Sequence, residues 1–207
     1  MAFSGFNRED FETFHIEGLD GRMEAIRSRI QPKFKELSDE VLQELSVQAG
    51  EELFLHIAQH ARRKVNAPVD TWMAIAGNKR GYKQHPHFQV GLFDDHVFIW
   101  LALIYELPNK QGIASAYLKH LDEFAALPQE MAVSFDHMKK DHVTLGELGE
   151  DGLNRSLERF RDVKKVEFLI GRTVAASDAK LLEGDKFLGL VKQTFEQLLP
   201  LYQIAKL

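Results

Sequence analysis

The chain has 207 residues, 44% hydrophobic and 28% charged, with a net charge of −5 and no cysteine. Such a composition suits one folded domain with a sizeable core, not a disordered segment. It excludes disulfides, thiolate metal sites and a cysteine nucleophile, and the acidic balance argues against a general nucleic-acid coat.

The N-terminal stretch MAFSGFNREDFETF holds acids and no long apolar run, so it reads as neither signal nor transit peptide. Asn7, followed by Glu9 and Asp10, predicts a capped short helix. Leu19, Met23, Ile26 and Ile30 keep helical spacing, which Pro32 interrupts or restarts. Ser38 with Asp39 and Glu40 predicts a new N-cap, for a helix carrying Val41, Leu42 and Leu45 that Gly50 stops.

Residues 52–60, ELFLHIAQH, alternate as a strand does. Runs 71–76, 87–93 and 96–105 are rich in aromatic and β-branched residues, and Asp94-Asp95 between the last two predicts a tight hairpin. The run 96–105 is apolar on both faces, as a covered central strand would be, and is far short of the ~20 residues a membrane span needs. A helix over 109–126, a strand over 131–136, a helix over 150–162 and a strand over 165–174 follow. The last helix is capped by Asp185 and shows its period through Phe187, Leu190, Val191, Thr194, Phe195, Leu198 and Tyr202. No repeat and no linker interrupts this order, which predicts a single α+β domain over 1–207 whose mainly antiparallel sheet is covered by helices. Trp72 or Met73, Phe98, Trp100, Leu103, Phe168, Phe195 and Leu198 are its expected core.

Charge is distributed unevenly. Residues 56–87 hold Arg62, Arg63, Lys64, Lys79, Arg80 and Lys83 against Asp70 alone, a local +5 that leaves −10 for the rest. Four of the nine histidines, His56, His60, His85 and His87, lie there too. In the loop AGNKRGYKQHPHF (76–88), Gly77 and Gly81 can take positive φ and turn backbone N–H groups toward a ligand. Arg80 can grip a phosphate or carboxylate with two parallel bonds, and Lys79 and Lys83 add charge. If strand 52–60 pairs near 71–76, Arg62-Arg63 and Lys79-Arg80 could face one cavity. The candidate ligand-binding set is therefore His60, Arg62, Arg63, Lys79, Arg80, Lys83 and His87. The plain alternative is a solvated loop whose cations serve solubility.

Other constellations are weaker. His56 and His60 would share a metal only on a helix; a strand sets them roughly 13 Å apart at ~3.3 Å per residue, so no metal is expected. Asp136-His137 could be an acid–base pair, although adjacent strand residues point oppositely and a turn is the simpler reading. Glu167, within apolar VEFLIG, needs a partner if buried, which Arg172 or the basic loop could supply. Phosphate-loop, dinucleotide and nucleophile-elbow motifs are absent.

The blocks EGLDGRME (17–24), HARRKVN (60–66), DTWMAIAGNKRGYK (70–83), PHFQVGLF (86–93) and DHMK (136–139) resemble the YktB family of Gram-positive bacteria nearly end to end. The chain departs from that family's pattern at Gly21, Leu55 and Ala67, none of them charged. The resemblance brings no activity, cofactor or catalytic residue. It implies an α+β fold loosely similar to biotin and lipoate ligases, although their lysine-bearing Lys-Trp-Pro-Asn-Asp-like stretch is absent here. The functional expectation is a cytoplasmic pocket protein, enzyme or not, that binds a nucleotide, phosphate or carboxylate through the 60–87 block. The alternative is an interaction module meeting an acidic partner or nucleic acid.

Overall fold

A computed structural model describes residues 3–181 and 183–206. Its strands are β1 (Phe54–Ile57), β2 (Thr71–Ala76), β3 (His87–Leu92), β4 (His96–Leu103), β5 (Ala132–Ser134), β6 (Val143–Thr144) and β7 (Phe168–Ala175). They form one sheet in the order β1-β2-β3-β4-β7-β5-β6, with every pairing antiparallel. The first four strands are neighbours in sequence and in space, and β3 and β4 join through Asp94-Asp95 as expected. β7 then inserts between β4 and β5.

Helices α1 (Arg8–Glu12), α2 (Leu19–Ala25), α3 (Gln31–Ala49), α4 (Lys110–Tyr117), α5 (Leu121–Ala125), α6 (Leu145–Asp162) and α7 (Gly184–Ala205) complete the chain. Their apolar sides share one large core with Met73, Ile75, Phe88, Val90, Ile99, Leu101, Phe168 and Ile170. The alternate residues of the same strands face the other way. Trp72, Ala74, Phe98, Trp100, Ala102 and Leu169 build a second cluster to which, among the described residues, no α-helix contributes. The two-faced apolar run 96–105 thus has a helix-covered face and a loop-covered one. All the expected core residues are 5% exposed or less.

Several boundaries differ, each for a local reason. Asn7 caps α1 with a full capping box that includes Asp10. Ser38 caps nothing: it is buried inside α3, where Phe34, Leu37, Val41 and Leu45 continue an unbroken apolar stripe and the helix overrides the polar signal. Between α2 and α3 the chain does not stop but passes through one π-helical stretch, Ile26–Ile30, which places Pro32 in the first turn of α3, where a missing N–H costs nothing. The 109–126 helix divides into α4 and α5. α6 starts earlier than residue 150, because Thr144 and Glu147 form a capping box, and it kinks at Gly149 (φ 59°). Strand 52–60 ends at Ile57, and His60 lies beyond it with a positive φ of 49°. α7 begins at Gly184, so Asp185 sits in the first turn instead of capping it.

Candidate functional site

The helix-free face is roofed by three loops: 58–70, 77–86 and 136–142. Small residues on the strands leave room beneath them. Gly91 is the clearest case, since a Cβ there would stand 2.2 Å from the Phe98 ring, so only glycine lets that ring lie flat across β3. Trp72 is the hub. Its Nε1–H donates to the Tyr82 hydroxyl at 2.9 Å, the Lys83 ammonium lies 5.3 Å from its ring centre, and the His60 and His137 rings meet it edge-on at 5.6 and 5.8 Å.

Over this hub opens a cleft of about 380 Å³, lined by Gln59, His60, Arg62, Arg63, Tyr82, Lys83, Glu106 and Met138 among others. A cleft of the same volume between α5 and α6 is lined largely by apolar and acidic side chains. A larger one, of about 680 Å³, lies on the other side of the 59–63 segment, against α2. Of these three, the first gathers cations around an aromatic floor.

The structure therefore brings together four of the seven expected ligand residues: His60, Arg62, Arg63 and Lys83. Strand β1 does pair with β2, which is what joins the two loops. Gly81, with φ 70°, reverses the second loop into a tight turn over Tyr82–Gln84 and swings Tyr82 and Lys83 back across the sheet. Lys79 and Arg80 stay exposed outside that turn, with the Lys79 ammonium 5.1 Å from the Phe54 ring. His87 is fully buried under the site. Its Nδ1–H donates to the His85 carbonyl, its Nε2 accepts from Gln89, and burial above all lowers its pKa to about 3. His60 is also held neutral, at about 4, by burial first and then by Arg63 and Lys83. His56 and His60 have separate partners, the Asn78 carbonyl and the Thr71 hydroxyl. None of the block's six cations forms a salt bridge among the described residues.

Two acids belong to this region. Asp70, the block's lone acid, is wholly buried, and neither carboxylate oxygen has a hydrogen-bond partner. Burial raises its pKa to about 6 against the opposing pull of His137, Arg63 and Lys83. Glu167 is 2% exposed, and its partner is neither Arg172 nor the basic loop but His137. Glu167 and Arg172 differ in parity along one strand direction and so point to opposite faces; Arg172 pairs with Glu130 at 3.2 Å instead. His137 Nδ1 lies 2.8 Å from Glu167 Oε2, whose carboxylate also accepts the His137 backbone N–H at 2.7 Å. The turn at Asp136-His137 is real: the Met138 N–H donates to the Asp136 side chain. One donor atom each from Asp136, His137 and Glu167 falls within a 4.8 Å span, the described group with spacing suited to a cation. The sequence shows both His137 and Glu167 but not their meeting, because 30 residues separate them and the pairing of β5 with β7, continued by the Glu167 N–H on the Phe135 carbonyl, is what brings them together. That loop is tied across the sheet by Lys140, which pairs with Asp94 and Asp95.

Residues 6–202 match the family described as "Domain of unknown function (DUF1054)". The chain belongs to this family. Among DUF1054 relatives, it is 60% identical to a UPF0637 protein of Oceanobacillus iheyensis over 98% of this chain and 97% of the relative. It is 56% identical to one of Exiguobacterium sibiricum, over 96% of each, and 48% identical to one of Listeria welshimeri, over 99% of each. YktB is a UPF0637 member, so the sequence resemblance pointed to the same Gram-positive family. Among the described residues of this DUF1054 chain, no helix is long and apolar enough to cross a membrane.

Proposed function

We propose that the cleft over Trp72 binds a small anion, such as a phosphate, a nucleotide or a carboxylate, in the cytoplasm. One observation carries the reading. Arg62, Arg63 and Lys83 converge on one concave site while forming no salt bridge among the described residues. Like charges held together repel, and a bound anion relieves that repulsion. Among the described residues the Arg63 guanidinium hydrogen-bonds the Asn66 and Ala67 carbonyls alone, at 3.4 and 3.5 Å, so it is loosely held and can turn to a ligand. Tyr82, its pKa pushed up to about 12 chiefly by burial, keeps its proton at neutral pH and can donate it into the cleft.

Thermal unfolding with added inorganic phosphate, at constant ionic strength, tests this. A ligand at 100 times its Kd adds about 2.7 kcal/mol of stability. Arg63→Ala and Lys83→Ala are expected to lose most of that gain, consistent with ~2 kcal/mol for a charged hydrogen bond. Arg80→Ala, outside the cleft, is expected to keep it. Equal responses from all four proteins would mark the block as a solvated surface, or as a docking strip for an acidic partner.

A further inference from the structure

The pocket's neighbour is a histidine with one ring nitrogen engaged and one free. Glu167 takes the Nδ1–H of His137, and the same carboxylate is fixed by the His137 backbone N–H and, at 3.4 Å, by that of Tyr105. This sets the tautomer: Nδ1 carries the proton and Nε2 presents a lone pair. Nε2 has no hydrogen-bond partner among the described residues, yet it is not among the side-chain atoms sealed from solvent. The ring lies against Trp72, the floor of the cleft, and the next residue, Met138, lines that cleft. Two backbone donors and the imidazole already engage the Glu167 carboxylate, and an Asp136 oxygen accepts the Met138 N–H, so we read the trio as a hydrogen-bonded pair beside a turn.

We propose that His137 is a general base, held by Glu167 as a positioning residue, and that the anion cleft beside it is an active site hydrolysing a small phosphate ester. This rests on the anion-binding reading above. Three cations can meet three non-bridging oxygens, where a carboxylate would occupy only two. The lining of the cleft contains no serine, threonine or cysteine; His60 there spends its Nε2 on the Thr71 hydroxyl and the Tyr82 phenol keeps its proton, so water is the nucleophile of the proposed step. His137 Nε2 takes one proton from that water as its oxygen bonds to phosphorus. The bond from phosphorus to the ester oxygen breaks, its electron pair leaves with that oxygen, and Nε2 returns the proton there. The products are an alcohol and a phosphate, with His137 restored. Arg62, Arg63, Lys83 and the Tyr82 O–H meet the charge that builds on the phosphoryl oxygens. The charged and titratable groups whose fields reach the ring or its neighbours include Glu167, Asp136, Asp70, His87, His56, Arg63, Lys83, Lys110 and Lys139.

The probes are 4-nitrophenyl phosphate and bis(4-nitrophenyl) phosphate, assayed with the full chain alongside phosphate binding by thermal shift. At least one ester is expected to turn over, and His137→Ala is expected to lower kcat/KM 10²-fold or more while phosphate still binds. Glu167→Gln is expected to lower kcat less and to displace the acidic limb of the pH–rate profile, which a merely structural role would not do. Should Glu167→Gln unfold, the nitrogen-15 shifts of His137 in the wild type decide the tautomer, and a protonated Nε2 at neutral pH overturns the proposal. Phosphate binding without hydrolysis, or hydrolysis indifferent to His137→Ala, refutes the base and leaves the pocket standing. Failure to bind phosphate removes both. Activity abolished by a chelator and restored by a divalent cation would assign Asp136, His137 and Glu167 to a metal and overturn the dyad.

Discussion

Asp70 sits in the interior with no donor against either oxygen, and its pKa of about 6 exceeds the ordinary value of 3.8. A folded-state pKa raised above the unfolded one means that the native form holds its proton longer. The penalty is absent below about pH 4, grows as pH rises toward 6, and is complete above it. About two pKa units correspond to roughly 3 kcal/mol, an upper figure for a buried group. Asp70→Asn is therefore expected to raise the urea midpoint at pH 7.5 and to match the wild type at pH 4. A loss of stability at pH 7.5 would mean that the carboxylate has a partner it depends on. Single residues were the least legible part of the sequence. Asp70 stood out only as the lone acid in a basic block, since burial cannot be read from one carboxylate at a strand's start. Lys110 gave no sign at all. It lies in the first turn of α4, where a cation opposes the helix dipole, yet it is 7% exposed and donates to the Val163, Lys164 and Val166 carbonyls.

Among the elements, α7 carries the clearest load. Phe187, Val191, Phe195, Leu198, Leu201 and Tyr202 are each 2% exposed or less, and Phe195 and Tyr202 both pack on Phe88 of β3. Each such side chain contributes ~1.5–3 kcal/mol of burial, so their sum is comparable to the whole stability of a small domain. Ending the chain before Asp185 is expected to abolish cooperative unfolding in urea; a truncated chain that still melts sharply would show a core independent of α7. This helix was legible because its apolar residues repeat every three or four positions over 22 residues. The α2–α3 passage was not. A π-helical stretch shifts the apolar register by a fraction of a turn, and a proline just after it imitates a break. The hairpin strands were legible from composition, whereas the place of β5 and β6 rests on a few residues each and on contacts far along the chain.

At the scale of the molecule, the two sides of the sheet divide the work. Helices seal one side with the large core, and loops roof the other, where the candidate cleft lies. The sequence announced a basic block and, only on the condition that β1 lies beside β2, its folding back on itself; which cations meet depends on Gly81 reversing the loop. Strand order has a further consequence, for a chain still being made. The long outer edge of β4 pairs with β7 over eight residues, from His96 against Ala175 to Leu103 against Phe168. Roughly 70 residues must be synthesised after Leu103 before the whole of that partner, Phe168–Ala175, emerges, several seconds at ~5–20 residues per second. Through that interval an edge that is apolar from Val97 to Leu103 is open to any other strand, which is how nascent chains are lost to aggregation. Ribosome-stalled chains ending before residue 165 are expected to be held by chaperones and cut readily by protease, and chains that have released β7 and α7 to resist both. Early resistance would mean that β1 to β4 stand alone. The chain's exposure during its own birth is thus set by where its seventh strand falls in the message.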